Sequence, residues 1–176
     1  MFFRRGNVNI RKLIPEDAEC YWKLRLKALT TDPDAFLVTY DEAIKKENPI
    51  GEYKKSFQSE EILTFGAFEE EHLVGMVTLV RETRQKIRHR ANIVAMYVDG
   101  NNRGKGTAKA LLKEAIKIAR NIPEIEQLYL TVDSENTPAK ELYKNLGFKI
   151  YAVEKKAMKY NGQYRDEEHM VLFLEK

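Results

Sequence analysis

The run Met96-Tyr97-Val98-Asp99-Gly100-Asn101-Asn102-Arg103-Gly104-Lys105-Gly106-Thr107-Ala108 carries an apolar strand into a glycine-rich turn that at once becomes a helix. Such a junction cradles phosphate. Glycines at 104 and 106 let the main chain approach an anion with no Cβ between them, and the free N–H groups of the helix's first turn, backed by its dipole, face the charge. Spacing then narrows what is held. A nucleoside-triphosphate loop needs a glycine five positions before the glycine-lysine pair and a Ser or Thr after the lysine, where this chain has Asp99 and Gly106. The dinucleotide pattern G-x-G-x-x-G fails at its third glycine, which is Lys109. What remains is R-x-x-G-x-A at Arg103, Gly106 and Ala108.

A second segment has physics of its own: Asn136-Thr137-Pro138-Ala139-Lys140-Glu141-Leu142-Tyr143-Lys144-Asn145-Leu146-Gly147-Phe148. Thr137 is placed to cap a helix whose first position is Pro138, and Gly147 suits the left-handed turn that ends it. Ala139, Leu142, Tyr143 and Leu146 fall on one face at helical spacing. The two segments, in this order, resemble the GCN5-related N-acetyltransferases, whose phosphate loop reads R-x-x-G-x-A and whose later helix reads N-x-x-A-x-x-L-Y-x-x-x-G-F.

That resemblance implies acetyl coenzyme A as co-substrate and an acetyl group passed to an amine by direct attack in a ternary complex. Gly104, Lys105, Gly106, Thr107 and Ala108 would hold the pyrophosphate through backbone N–H groups, with Arg103 and Lys105 adding charge or merely forming a solvated turn. The backbone of Met96, Tyr97 and Val98 would pair with the pantetheine amides. Asn136 would bond the pantetheine arm or serve only the helix entry, and Tyr143 would protonate the departing thiolate or only fill the core. Many relatives place a glutamate before the apolar residues of the loop-bearing strand; here it is Ala95. Glu82, His89 and His169 stand as other bases, beside a water chain or an amine that arrives neutral. The acceptor is a small-molecule or exposed protein amine, framed by residues 36–42 and 164–168, where Glu42, Asp166 and Glu167 could attract a cation. A non-catalytic coenzyme-A-binding sensor is the alternative, favoured by Ala95.

The elements that must position these residues follow from pattern. Val8–Leu13 alternates as a strand, and a helix entered at Pro15 carries Ala18, Tyr21, Trp22, Leu24 and Leu29 inward. Asp32-Pro33-Asp34 breaks it, and a short helix breaks or starts around Pro49-Ile50-Gly51. Ile62–Phe68 and His72–Arg81 form a hairpin through Glu69-Glu70-Glu71, and a charged turn spans 82–90. Asn92–Val98 and Leu128–Val132 read as central strands, covered on both faces, about a helix in which Ala108, Leu111, Leu112, Ala115, Ile116 and Ala119 recur, ended at Pro123. Strand, helix, strand makes a right-handed parallel unit with the cradle at the carboxyl end of its first strand. Strands at Lys149–Tyr160 and His169–Leu174 join at Asn161-Gly162. The expected fold is α/β (α+β), one GNAT-like domain over 1–176, with a mixed central sheet, a parallel βαβ unit and helices on both faces.

Composition excludes other classes. With 43% hydrophobic residues, a net charge of +3 and no run of about twenty apolar residues, the chain reads as an ordinary globule with no membrane partner. Met1-Phe2-Phe3-Arg4-Arg5 is too short and wrongly ordered for a secretory signal, so the cytoplasm is the expected location. A single cysteine, Cys20, precludes an internal disulfide and a cysteine-rich metal site, and no metal is expected. Arg81, Arg84, Lys86, Arg88 and Arg90 lack the interleaved aromatics that stack on bases, so no nucleic-acid partner is expected, while a homodimer is compatible.

Overall fold

The computed structural model describes residues 8–175; Met1 to Arg5, read above against a secretory signal, lie outside them. Strand β1 is Asn9–Lys12, followed by helices α1 (Ala18–Thr31), α2 (Tyr40–Ala43) and α3 (Pro49–Phe57). Strands β2 (Ile62–Glu69), β3 (His72–Arg81) and β4 (Arg90–Val98) lead through the glycine-rich turn into α4 (Thr107–Asn121). Strand β5 (Gln127–Asp133), helix α5 (Thr137–Asn145) and the hairpin β6 (Lys149–Tyr160) and β7 (Gln163–Phe173) complete the order. These strands form one sheet in the order β1-β2-β3-β4-β5-β7-β6. Every neighbouring pair is antiparallel except β4 and β5. The expected mixed sheet with one parallel βαβ unit is what the chain builds.

Helices cover both faces. Leu111, Leu112, Ala115, Ile116 and Ala119 of α4 and Tyr143 of α5 pack with Phe65, Leu79, Ile93, Leu128, Leu130 and Met170. On the other face Tyr21, Leu24 and Ala28 of α1 and Phe57 of α3 meet Leu13, Phe68, Met76 and Tyr97. Trp22 leaves the expected stripe: it is half-buried against Tyr53, and Ala28 takes an inward place instead. Pro49 starts a helix, with Asn48 as its cap accepting from the Gly51 amide at 3.0 Å.

Two features depart from the sequence pattern. Strand β7 begins at Gln163, six residues before the expected His169, because pairing with both β5 and β6 imposes extension on a polar run that shows no apolar alternation. Neither central strand is covered throughout: Thr131 of β5 is exposed, and Val94 of β4 is 43% exposed. In β4 the cause is a bulge. Met76 faces Tyr97 and Thr78 faces Val94, so Ala95 and Met96 together oppose Val77, and Ala95 turns to φ 53°. Parallel pairing of β4 with β5 covers Arg90 to Asn92 and stops there, so the two strands part toward their carboxyl ends.

Among the described residues no helix is long and apolar enough to cross a membrane.

A positive φ disfavours an L-residue by about 1–2 kcal/mol, and most of all a β-branched one. Ala95→Val should therefore lower the unfolding free energy in urea by about 2 kcal/mol, whereas Ala95→Gly should leave it within about 0.5 kcal/mol or raise it.

Candidate functional site

Where β4 and β5 part, a cleft of about 910 Å³ runs through the sheet. It draws its walls from both faces: Val132, Leu142 and Tyr143 on the side of α4 and α5, and Arg25, Phe36, Asp133 and Glu167 on the side of α1. Met96, Tyr97, Val98, Arg103, Gly104, Gly106, Thr107, Ala108 and Asn136 line it as well. Of the residues expected to hold the co-substrate or to protonate the thiolate, only Lys105 stands outside this lining, on the same turn.

The turn has the form the sequence predicts. Gly104 and Gly106 lie at φ 73° and 87°, and a Cβ added to either would meet nothing within 4 Å, so open space stands above both. Asp99 starts the turn, its carboxylate accepting from the Asn101 amide at 3.3 Å, and Thr107 Oγ1 donates to the Asn102 carbonyl at 3.4 Å. Asn102, buried beneath, donates to Glu69 at 2.8 Å. Gly106 caps α4 without a side-chain acceptor, and the first helical bond runs from the Ala110 amide to the Gly106 carbonyl at 3.0 Å. Among the described residues the amides of 104–109 meet no carbonyl, and the positive end of a fifteen-residue helix lies behind them. The residues fit a diphosphate.

Charged side chains fasten the turn to α1. Arg103 Nε donates to the Val98 carbonyl at 2.9 Å, and its guanidinium pairs with Asp32 and lies over the Tyr97 ring at 5.6 Å. Lys27 bonds Asp99, holding that carboxyl below its usual range. The Tyr97 hydroxyl lies 3.0 Å from Thr31 Oγ1 at the end of α1. Lys105 is half-exposed, with its Nζ 3.9 Å from Glu69.

Helix α5 differs from expectation by one position. Its cap is Asn136, not Thr137: the Asn136 Oδ1 accepts from the Ala139 amide at 3.2 Å, and Pro138 follows within the first turn. Its backbone N–H donates to the Asp133 carbonyl at 2.9 Å, while among the described residues nothing takes up its side-chain Nδ2, and Asn136 lines the cleft. The helix ends as read, with Gly147 at φ 97° and the Phe148 amide donating to the Tyr143 carbonyl at 3.1 Å. Tyr143 is 7% exposed, packs edge-on against Phe148 and lines the cleft. Burial pushes its phenol up to about 12, so the group keeps its proton at neutral pH.

The expected bases divide. Glu82 accepts from Asn92 Nδ2 at 3.0 Å and His89 takes the Arg90 Nε at 3.4 Å; neither lines the cleft. His169 Nε2 meets Glu154 at 3.1 Å on the β6–β7 hairpin. Glu42 spends its carboxylate on the Thr39 amide and hydroxyl at the start of α2, and Asp166 pairs with Lys155, so neither is free for a cation. Nothing in the sequence itself marks Glu167 apart from these. Placing Arg165, Glu167 and His169 on one strand would have grouped them on a single face, but the polar run hid the strand. Cys20 is a half-buried thiol that donates to the Asp17 carbonyl at 3.1 Å, and burial pushes it up.

The model of the Acetyltransferase (GNAT) domain matches residues 10–169. The L-amino acid N-acetyltransferase AaaT of Escherichia coli (strain K12) is 34% identical over 98 residues, 56% of this chain and 60% of that protein. The spermidine N(1)-acetyltransferase of the same strain is 32% identical over 85 residues, 48% of this chain and 46% of that protein. The matches thus span about half of these relatives' lengths. Among solved structures, yncA of Salmonella typhimurium, determined with its cofactor acetyl-CoA, superposes with a TM-score of 0.82 at 20% identity, covering 96% of this chain and 95% of that one.

Burial and the neighbouring Glu154 and Asp133 carboxylates raise the Glu167 carboxyl above its ordinary range, against an opposing pull from His169. A folded-state carboxyl raised above its unfolded value costs stability once pH exceeds the unfolded pKa of about 4.3. Glu167→Gln, which mimics the protonated form, should therefore shift the urea midpoint upward at pH 7, and the gain should vanish near pH 4.

Proposed function

The chain belongs to the GNAT acetyltransferase family, and from that premise we propose that it transfers the acetyl group of acetyl coenzyme A to a primary amine, carried by a small molecule or exposed on a protein. The observation that supports this most is the pairing of an open, glycine-lined cradle with a cleft that passes through the sheet beside a buried phenol. The amides of residues 104–108 hold the diphosphate. The backbone of Met96, Tyr97 and Val98, released from β5, offers N–H and C=O groups to the pantetheine amides, and the Asn136 side-chain Nδ2 adds a donor. Arg103 reaches phosphate only by exchanging Asp32 for it, while half-exposed Lys105 adds charge nearby.

The amine attacks the thioester carbonyl, forming the C–N bond as the C–S bond breaks, and Tyr143 protonates the departing sulfur. Burial keeps that phenol protonated at neutral pH, so it has a proton to give. One relative is named for L-amino acids and another for spermidine; a primary amine is the chemistry they share. The second reading, a coenzyme-A-binding sensor, draws on Ala95 standing where many relatives carry a glutamate. Thiol release from acetyl coenzyme A with a panel of amino acids, polyamines and peptides separates the two, since binding without release for every acceptor would favour the sensor.

Two variants bear on the assignment. Gly106→Ala and Gly162→Ala each put a Cβ at a left-handed position with open space around it, at φ 87° and 78°. Both should cost about 1 kcal/mol of stability, but only Gly106→Ala should weaken coenzyme A binding, by at least about tenfold in calorimetry. Tyr143→Phe should lower kcat by about 100-fold while the acetyl coenzyme A affinity changes little.

A further inference from the structure

Four carboxylates line the cleft: Asp32, Asp34, Asp133 and Glu167. Three are neutralised. Asp32 is held by Arg103, and Arg165 takes both Asp34 at 2.7 Å and Asp133 at 3.4 Å, with Glu135 as a further partner. Among the described residues Glu167 alone of the four has no cation and no hydrogen-bond donor on its carboxylate.

Its place in the sheet is equally specific. On β7 it stands in register between Asp133 of β5 and Glu154 of β6, so the three share one face. Glu168, the next residue, turns to the opposite face, where it pairs with Lys140 of α5 at 2.8 Å. The Glu167 face is therefore the one away from α5 and Tyr143, on the side of α1 and Phe36. One side-chain oxygen or nitrogen from each of Glu154, Glu167 and His169 lies within 4.8 Å of the others, and Glu154 is largely exposed. A proton on Glu167 thus has a short way out through a carboxylate and an imidazole to water.

We propose that Glu167 is the general base, the group that takes a proton from the acceptor's ammonium before attack, in place of the glutamate that Ala95 lacks. The assignment rests on the acetyltransferase reading above. An ammonium seated on the α1 side of the parted strands gives one proton to the Glu167 carboxylate and becomes a neutral amine. Its lone pair attacks the thioester carbonyl, and it loses a second proton as the C–N bond forms. The C–S electron pair leaves with sulfur, which takes a proton from Tyr143, and the second amine proton restores Tyr143 through water. One proton is released overall, from Glu167 by way of Glu154 and His169. The acceptor class this favours is an amine that arrives as a cation, since an unpaired carboxylate both attracts it and deprotonates it.

Groups facing Glu167 set its titration: Asp133 from β5, Glu154 from β6 and His169 from its own strand, while Arg165 is engaged by Asp34, Asp133 and Glu135. Desolvation pushes the carboxyl up, toward the range in which a base works near neutral pH.

The test is the pH profile of thiol release with the best acceptor of the panel. Glu167→Gln should lower kcat at pH 7 by about 100-fold or more and replace the acid limb set by the carboxyl with a slow rate that climbs up to the pKa of the amine itself. Glu154→Gln removes a like charge, so the acid limb should move to lower pH. Coenzyme A affinity within about twofold of the unmodified protein certifies the fold of both variants. Activity of Glu167→Gln within about threefold, with the acid limb unmoved, would overturn the role of Glu167 and leave the acetyltransferase reading standing. No turnover by the unmodified protein with any amine would overturn that reading and the base together.

Discussion

Everything at the site depends on β4 ceasing to pair with β5 after Asn92. Backbone N–H and C=O groups in the middle of a sheet are costly to leave without partners, so strands do not part there unless something turns them aside. The bulge at Ala95 does this: two residues against Val77 increase the local twist and re-aim the end of β4. Three paired residues, Arg90 to Asn92, keep the parallel unit closed at its start, and α4 ties the two strands together across the core. The result is a sheet held firmly at one end of its central pair and open at the other, with the glycine turn directly at the opening.

From that opening the rest follows as a division of labour between faces. The α4 and α5 side supplies outward amides, a helix dipole and a phenol kept neutral by burial. The α1 side supplies Arg25, Phe36 and a row of carboxylates whose charges are mostly answered by Arg103 and Arg165. On the proposed reading, two reactants enter from opposite sides and meet at the parting without competing for one entrance. Holding them there can supply roughly 7–11 kcal/mol of the barrier before any side chain acts.

What the sequence revealed was local physics. Glycines at 104, 106 and 147 occupy left-handed positions that a residue without a Cβ takes at no steric cost, and Leu111, Leu112, Ala115, Ile116 and Ala119 of α4 bury where the period says. The N-terminal cap of α5 was legible to within one residue, since Asn136 and Thr137 are both good caps and only the fold selects between them. The bulge was not legible, because an alanine at positive φ has no compositional mark. Neither was the first half of β7, whose extension is imposed by two neighbours rather than by its own pattern. Glu167 was visible only as one acidic residue among several; its solitude depends on which carboxylates Arg103 and Arg165 reach across the fold.

The outer edge of the sheet carries a different lesson. Strand β6 runs twelve residues, is exposed for most of its length and shows Tyr151, Val153 and Tyr160 to solvent. An edge of that kind invites cross-β stacking and aggregation. Its ladder is broken between Ile150 and Ala152 and again between Glu154 and Met158, with Lys156 at φ 55° and lysines at 155 and 159 beside it. Those kinks and charges act as gatekeepers: an incoming strand would lose register after a few residues, so the hairpin that reaches the cleft is a poor template for a further strand.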